Sequence, residues 1–136
     1  MKPIGIAGTG SYVAPKVMTN KDWTKYVETS DEWIFSKTGI RERRIADPDV
    51  ATSDLAVEAA KKALKCAKVK AEDVGLIVLA TSSPDVPLSA TACIVQNKLG
   101  DKKAAALALN NVCRGFVYGL DVGWQIVRRV RAGHSP

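Results

Sequence analysis

The stretch Leu109–Gly123, "LNNVCRGFVYGLDVG", decides how the rest of the chain is read. A cysteine, Cys113, stands just ahead of a long apolar run, and glycine returns every fourth position at Gly115, Gly119 and Gly123. From Phe116 to Val127 apolar residues fall nearly all the way round a helical wheel: Phe116, Val117, Leu120, Val122, Trp124, Ile126 and Val127. A helix without a polar face is a buried helix, so 115–131 reads as an interior rod. Its three glycines share one face and let another backbone approach closely, at roughly 1 kcal/mol each relative to alanine. Arg128, Arg129 and Arg131 close it, where the negative end of the helix dipole favours cations. Solvated arginines are the plain reading there, and a nucleic-acid patch is the rival.

Cys113 lies at the opposite end, on a strand-to-helix turn. Unpaired backbone N–H groups at such an end stabilise a thiolate, the reactive form, so this is where a fold places a cysteine nucleophile. A buried cysteine serving as a small hydrophobe is the competing reading. Cys66 and Cys93 fall inside helical patterns and read as inert packing residues. With no C-x-x-C spacing, three cysteines indicate neither a disulfide framework nor a zinc site, and they fit reduced thiols in a cytoplasmic protein.

Working back towards the N-terminus, Ala104–Leu109 and 75–80 ("GLIVLA") are short apolar runs, the second with the look of a strand buried on both faces. Between them lie a loop, "TSSPDVPLSA", and a helix from Thr91 to Leu99 ended by Gly100. Ser53–Ala67 is an amphipathic helix, with Leu55, Ala59, Ala63 and Leu64 near one face. Ser30 can cap a helix through "DEWIFSKT" that Gly39 ends, and Thr19 or Asn20 can cap a short one over Lys21–Val27. "IRERRIADPD" reads as a basic connection. Ile4–Ala7 reads as a strand, and Gly8-Thr9-Gly10 as the turn after it. "GTGSYV" lacks the third glycine of a dinucleotide fingerprint, Val13 standing in its place. Strands alternating with helices give an α/β class with a mostly parallel sheet.

The 136 residues are enough for one domain with a core, so residues 1–136 are read as a single domain. No apolar run approaches the ~18 residues of a membrane helix, and the N-terminus lacks a signal-peptide pattern. The formal net charge of +6 suits an acidic partner, whether nucleic acid, anionic lipid, a phosphate-bearing cofactor or an acidic carrier protein.

Taken in order, "GTGSYV", "TNKDW", "TSDEWIFSKTGIRERRIA", "TSDLAVEAAKKAL", "LIVLATSSPDVPLSATACIVQNKLG" and "NNVCRGFVYGLDV" resemble the N-terminal part of β-ketoacyl-(acyl-carrier-protein) synthase III, a condensing enzyme of the thiolase fold that starts fatty-acid chains. The resemblance implies acyl transfer from acyl-coenzyme A to Cys113, then a decarboxylating Claisen condensation with malonyl-carrier protein. It places Trp33 on the coenzyme A adenine, Thr29 beside the adenine and Lys37 where the family usually has an arginine. Leu88 falls at the position that, in family dimers, closes the partner's acyl pocket. Arg41, Arg43 and Arg44 can meet phosphates or the carrier protein, or lie in a solvated loop. The implied partners are acyl-coenzyme A, the acyl carrier protein and a second copy or a complementing second half, with no resident cofactor, metal, nucleic acid or membrane.

There are departures. Lys37 offers a point charge instead of a planar fork. Arg114 follows the nucleophile where a small residue is usual, so its cation can favour the thiolate or its bulk can crowd the acyl pocket. Ala108 replaces an acidic residue. The family is built from two similar halves, and the resemblance implies that this chain ends before the first half's sheet is complete. The histidine and asparagine that promote decarboxylation then lie outside it. His134, the one histidine, is about 30 Å beyond Cys113 along a straight helix at ~1.5 Å per residue and reads as a tail residue. An apolar helix without its covering layers should leave the isolated chain marginal and prone to self-association. The alternatives are a non-catalytic remnant that binds coenzyme A or carrier protein, and another thiolase-fold acyltransferase such as hydroxymethylglutaryl-coenzyme A synthase.

Overall fold

A computed structural model describes residues 3–131, which cluster into two compact units, one of residues 13–51 and one of residues up to 12 together with 52 onward.

In the smaller unit, β1 (Lys16–Thr19) pairs antiparallel with β2 (Glu42–Ile45), from Lys16 opposite Ile45 to Thr19 opposite Glu42. Here "IRERRIADPD", read as a connection, supplies a strand. Its half-buried positions are Arg43 and Ile45, so a guanidinium stands where an apolar residue would have signalled strand alternation. Between the strands lie α1 (Asn20–Trp23) and α2 (Asp31–Thr38). Thr19 caps α1 in a reciprocal box: its hydroxyl accepts from the Asp22 N–H, and its own N–H donates to the Asp22 carboxylate, both at 3.1 Å. Hydrogen bonds from Thr19, reinforced by Lys25, hold the Asp22 carboxyl down at about 2. Helix α1 is shorter than the Lys21–Val27 expected, and residues 24–27 continue as turns with β-branched Thr24 and Val27 among them. Ser30 caps α2 by accepting from the Trp33 N–H at 3.1 Å, and Gly39 ends it at φ 70°, where glycine carries no Cβ penalty.

Buried Asn20 ties these pieces together. Its side-chain amide donates to Asp31 Oδ1 at 2.6 Å and to the Ile40 carbonyl at 2.8 Å, and its Oδ1 accepts from Arg43 at 2.6 Å. Its backbone N–H reaches the Arg41 carbonyl at 3.1 Å.

In the larger unit, α3 (Thr52–Ala67) leads to β3 (Leu76–Ala80), and α4 (Thr91–Leu99) then crosses to β4 (Ala105–Leu109). The two strands pair in parallel, Leu76 opposite Ala105 through Ala80 opposite Leu109. A helical crossover is what parallel pairing requires. Val57, Ala92, Val95 and Ala104 form the buried apolar core. Helix α5 (Gly115–Arg131) packs on β3. The segment Ile4–Ala7 is not a strand, and Gly8 and Gly10 serve another purpose than a turn. A Cβ on Gly8 would meet the backbone of Ala63 and Ala67 at 2.8 and 2.6 Å, and one on Gly10 the backbone of Ala59 and Ala63. Glycine there lets the N-terminal segment cross directly over α3.

Four further expectations change. Every residue of β3 is half-buried, not enclosed on both faces, because Leu76 and Val78 open onto a groove beside α5. Helix α5 is broadly exposed: Phe116, Val117, Leu120, Trp124 and Val130 all face solvent. Its glycines do not act alike. A Cβ on Gly115 would stand 3.1 Å from the Ala80 Cβ and 4.0 Å from its Cα, one on Gly119 would meet only the side chains of Val78, Ala80 and Leu109, and one on Gly123 would meet nothing within 4 Å. Cys66 and Cys93 lie in helices as expected but are exposed, so they pack little. His134 lies outside the described residues.

Candidate active site

The larger unit carries the thiol. Strand β4 ends at Leu109, Asn110 and Asn111 follow, and a single tight turn, Val112–Arg114, delivers the chain into α5. Cys113 sits in that turn and is exposed. The Arg114 N–H donates to the Asn111 carbonyl at 3.0 Å, closing the turn. Val112 adopts φ 41°, a left-handed conformation that disfavours a β-branched residue. The turn is seated by Gly115, whose missing Cβ would stand 3.1 Å from the Ala80 Cβ at the end of β3. Strand end, tight turn and helix mouth thus present the sulfur to solvent ahead of a 17-residue helix, and the Arg114 side chain beside it is exposed too.

Leu88 belongs to the same unit. The loop between β3 and α4 is pinned at its base: the Thr52 hydroxyl donates to the Ser83 carbonyl at 2.6 Å, Asp85 Oδ1 accepts from the Ser53 N–H at 2.9 Å, and the Asp85 N–H donates to Thr91 Oγ1 at 3.0 Å. Lys98 Nζ adds bonds to Ser53 Oγ and Asp54 Oδ1 at 2.7 and 2.6 Å. Leu88, beyond these ties, is 99% exposed. A leucine held out by an anchored loop has the form of a residue that meets another surface.

Thr29, Trp33 and Lys37 lie in the smaller unit, on and just ahead of α2. A cavity of about 490 Å³ is walled by Trp23, Val27, Glu28, Thr29, Ser30, Trp33 and Ile34. It brings Thr29 and Trp33 together and leaves out Lys37, exposed in the last turn of α2. The Thr29 Oγ1 is buried and, among the described residues, has no hydrogen-bond partner. A buried hydroxyl without a partner is costly. Trp23 escaped the sequence reading, since nothing in "TNKDW" shows that its indole shares a cavity with Trp33. The unit is also basic around β2: Arg41, just ahead of the strand, lies 3.9 Å over the Phe35 ring, and Arg43 within it is tied to Asn20. Among the described residues, no cluster of His, Cys, Asp or Glu could hold a metal, and no helix is long and apolar enough to cross a membrane.

Parallel strands joined by a helical crossover, with a turn-borne thiol ahead of a long apolar helix, define part of a thiolase-like α/β fold, the class the sequence implied. More particularly, the chain is similar to β-ketoacyl-[acyl-carrier-protein] synthase III. It is 55% identical over 123 residues to that enzyme from Caldanaerobacter subterraneus, covering 90% of this chain and 37% of the relative. Over 128 residues it is 54% identical to the enzyme from Fusobacterium nucleatum, covering 94% and 39%. Among solved structures, 3-oxoacyl-[acyl-carrier-protein] synthase III from Aquifex aeolicus superposes with a TM-score of 0.85 at 43% identity, over 90% of this chain and 40% of that one. The synthase III of Thermus thermophilus gives 0.82 at 42%, over 96% and 39%. No family model matches the chain. The chain spans about two fifths of the length of these relatives and resembles their N-terminal portion.

Proposed function

We propose that this chain is the acyl-accepting portion of a β-ketoacyl-acyl-carrier-protein synthase III-type acyltransferase in fatty-acid initiation. The observation that carries it is the exposed Cys113 on the turn between β4 and α5. As thiolate, Cys113 attacks the carbonyl carbon of an acyl-coenzyme A thioester. The bond from that carbon to the coenzyme A sulfur breaks, and coenzyme A leaves as a thiolate that takes up a proton from solvent, replacing the one the cysteine released. A covalent intermediate divides one difficult transfer into two easier ones. Thr29 and Trp33 receive the adenine end of the donor, Lys37 offers a charge to its phosphates, and Leu88 reaches another protomer's acyl pocket. Condensation with malonyl-carrier protein would draw its histidine and asparagine from a complementing second half, without which the full reaction stops at the acyl-enzyme. The non-catalytic alternative keeps the ligand and loses the transfer.

Incubation with acetyl-coenzyme A, followed by intact mass and peptide mapping, separates the two. A single acetyl adduct on the Cys113 peptide, lost in Cys113→Ala, is expected. No adduct even with a second half of a synthase III added would favour the binding-only reading.

A further inference from the structure

We propose that Asp85 is a positioning residue for the choice of acyl donor: it latches the 81–90 loop, and the latch decides where Leu88 stands; this rests on the acyl-accepting reading above. The loop leaves the sheet beside the candidate nucleophile. The Thr81 N–H donates to the Leu109 carbonyl at 3.0 Å, and Leu109 ends β4 four residues ahead of Cys113. Ala80, the residue before the loop, is also the one that seats Gly115 on the far side of the thiol's turn. Loop and thiol therefore share the C-terminal edge of a parallel strand pair, the edge outside which α/β sheets hold their ligands.

Of residues 82–90 only Asp85 is half-buried, and the others are exposed. Its side chain reaches back to the first turn of α3, where Oδ1 accepts from the Ser53 N–H at 2.9 Å. Its own N–H reaches forward to Oγ1 of Thr91, the first residue of α4, at 3.0 Å. Ser53 and Thr91 are 0% and 1% exposed, so removing the carboxylate takes the acceptor from a buried N–H, which is costly. The Thr52 hydroxyl, on the Ser83 carbonyl at 2.6 Å, secures the stretch before Asp85. Beyond Asp85 the chain has little freedom. Pro84 and Pro87 lock their own φ, and Ser83 and Val86, each preceding a proline, are biased to extended backbone. Leu88 follows Asp85 by three residues, roughly 10 Å of extended chain at most. A clamp at Asp85 and a stiff tether beyond it thus set the place of a leucine that is itself 99% exposed.

The test loads the whole chain, with a second half of a synthase III added, from an equimolar mixture of acetyl- and octanoyl-coenzyme A. Both adducts are read on the Cys113 peptide by mass. Leu88→Ala is expected to raise the octanoyl-to-acetyl ratio about tenfold, as for added room in an apolar pocket. Asp85→Ala is expected to raise it likewise with Leu88 intact, whereas Asp85→Asn keeps an Oδ1 acceptor for Ser53 and is expected to hold the wild-type ratio. Thr91→Val removes the acceptor for the Asp85 N–H while keeping the side chain's shape, and carries the test should Asp85→Ala fail to fold. A wild-type ratio in Asp85→Ala beside a raised one in Leu88→Ala, or an equal fall in both adducts, would overturn the positioning role of Asp85 alone. A wild-type ratio in Leu88→Ala would overturn the part given to the loop. No adduct from either donor on the wild-type chain would overturn the acyl-accepting reading, and the proposal with it.

Discussion

Asn20 is 1% exposed, yet its side chain is polar, and the geometry around it explains why. Its amide and carbonyl satisfy Asp31, the Ile40 carbonyl and Arg43 at once, linking the first turn of α2 to the chain leading into β2 and to β2 itself. Removing the hub takes one bond each from the Asp31 carboxylate and the Arg43 guanidinium, leaving them, among the described residues, only the longer contacts to Arg41 at 3.9 Å and to the Met18 carbonyl at 3.4 Å. Asn20→Ala should destabilise the protein by about 2–3 kcal/mol, the range for hydrogen bonds to charged groups, read as a lowered urea midpoint with an unchanged slope. A variant as stable as wild type would show that water replaces the amide without cost. At this scale the sequence was legible only where one residue type has one use. Ser30 as a cap and Gly39 as a left-handed stop follow from local chemistry. The hub of Asn20, 23 positions from Arg43, and the sharing of one cavity by Trp23 and Trp33 depend on tertiary placement that no local pattern encodes.

Elements followed the same division. Helices α3, α4 and α5 stand out by apolar residues recurring over several turns, and strands β3 and β4 by short unbroken apolar runs. Strands β1 and β2 are four residues each, and β2 turns Arg43 inward, so their pairing left no periodic mark. Glycines in the sequence look alike, and the structure sorts them by what a Cβ would touch. At Gly10 it would run into the backbone of α3, which cannot swing aside, whereas at Gly123, inside α5, it would meet nothing within 4 Å. Gly10→Ala should therefore cost about 1–3 kcal/mol through overpacking. Gly123→Ala should stabilise the chain by roughly 0.5–1 kcal/mol at dilutions where it is monomeric, since alanine forms helix better and loses no contact. Thermal melts of the two variants measured side by side check the pair. A Gly123→Ala chain that melts lower than wild type would mean that this face is already covered in solution.

For the whole molecule, the unresolved energetic question is what covers α5. Its exposed Leu120, Trp124, Val127 and Val130 join Ile4, Ile6, Leu76 and Val78 around a groove of about 780 Å³, and Phe116 and Val117 add exposed apolar surface outside it. Exposed patches of that kind mark an interface or an aggregation site. The relatives are more than twice as long as the span matched here, and a complementing segment is one way to cover this face. Without one, the hydrophobic effect favours the nearest alternative, another copy of the same groove, at roughly 25 cal/mol per Å² removed from water. The isolated chain should therefore sediment as a concentration-dependent mixture and bind a hydrophobic dye. Leu120→Lys combined with Trp124→Lys places two charges in the groove, and should shift the mixture to monomer and cut dye binding without loss of helix signal. Salt should not dissolve the wild-type species, because screening acts on charges and this association is apolar. A wild-type chain that remains monomeric at high concentration and ignores the dye would mean that α5 finds cover within its own chain.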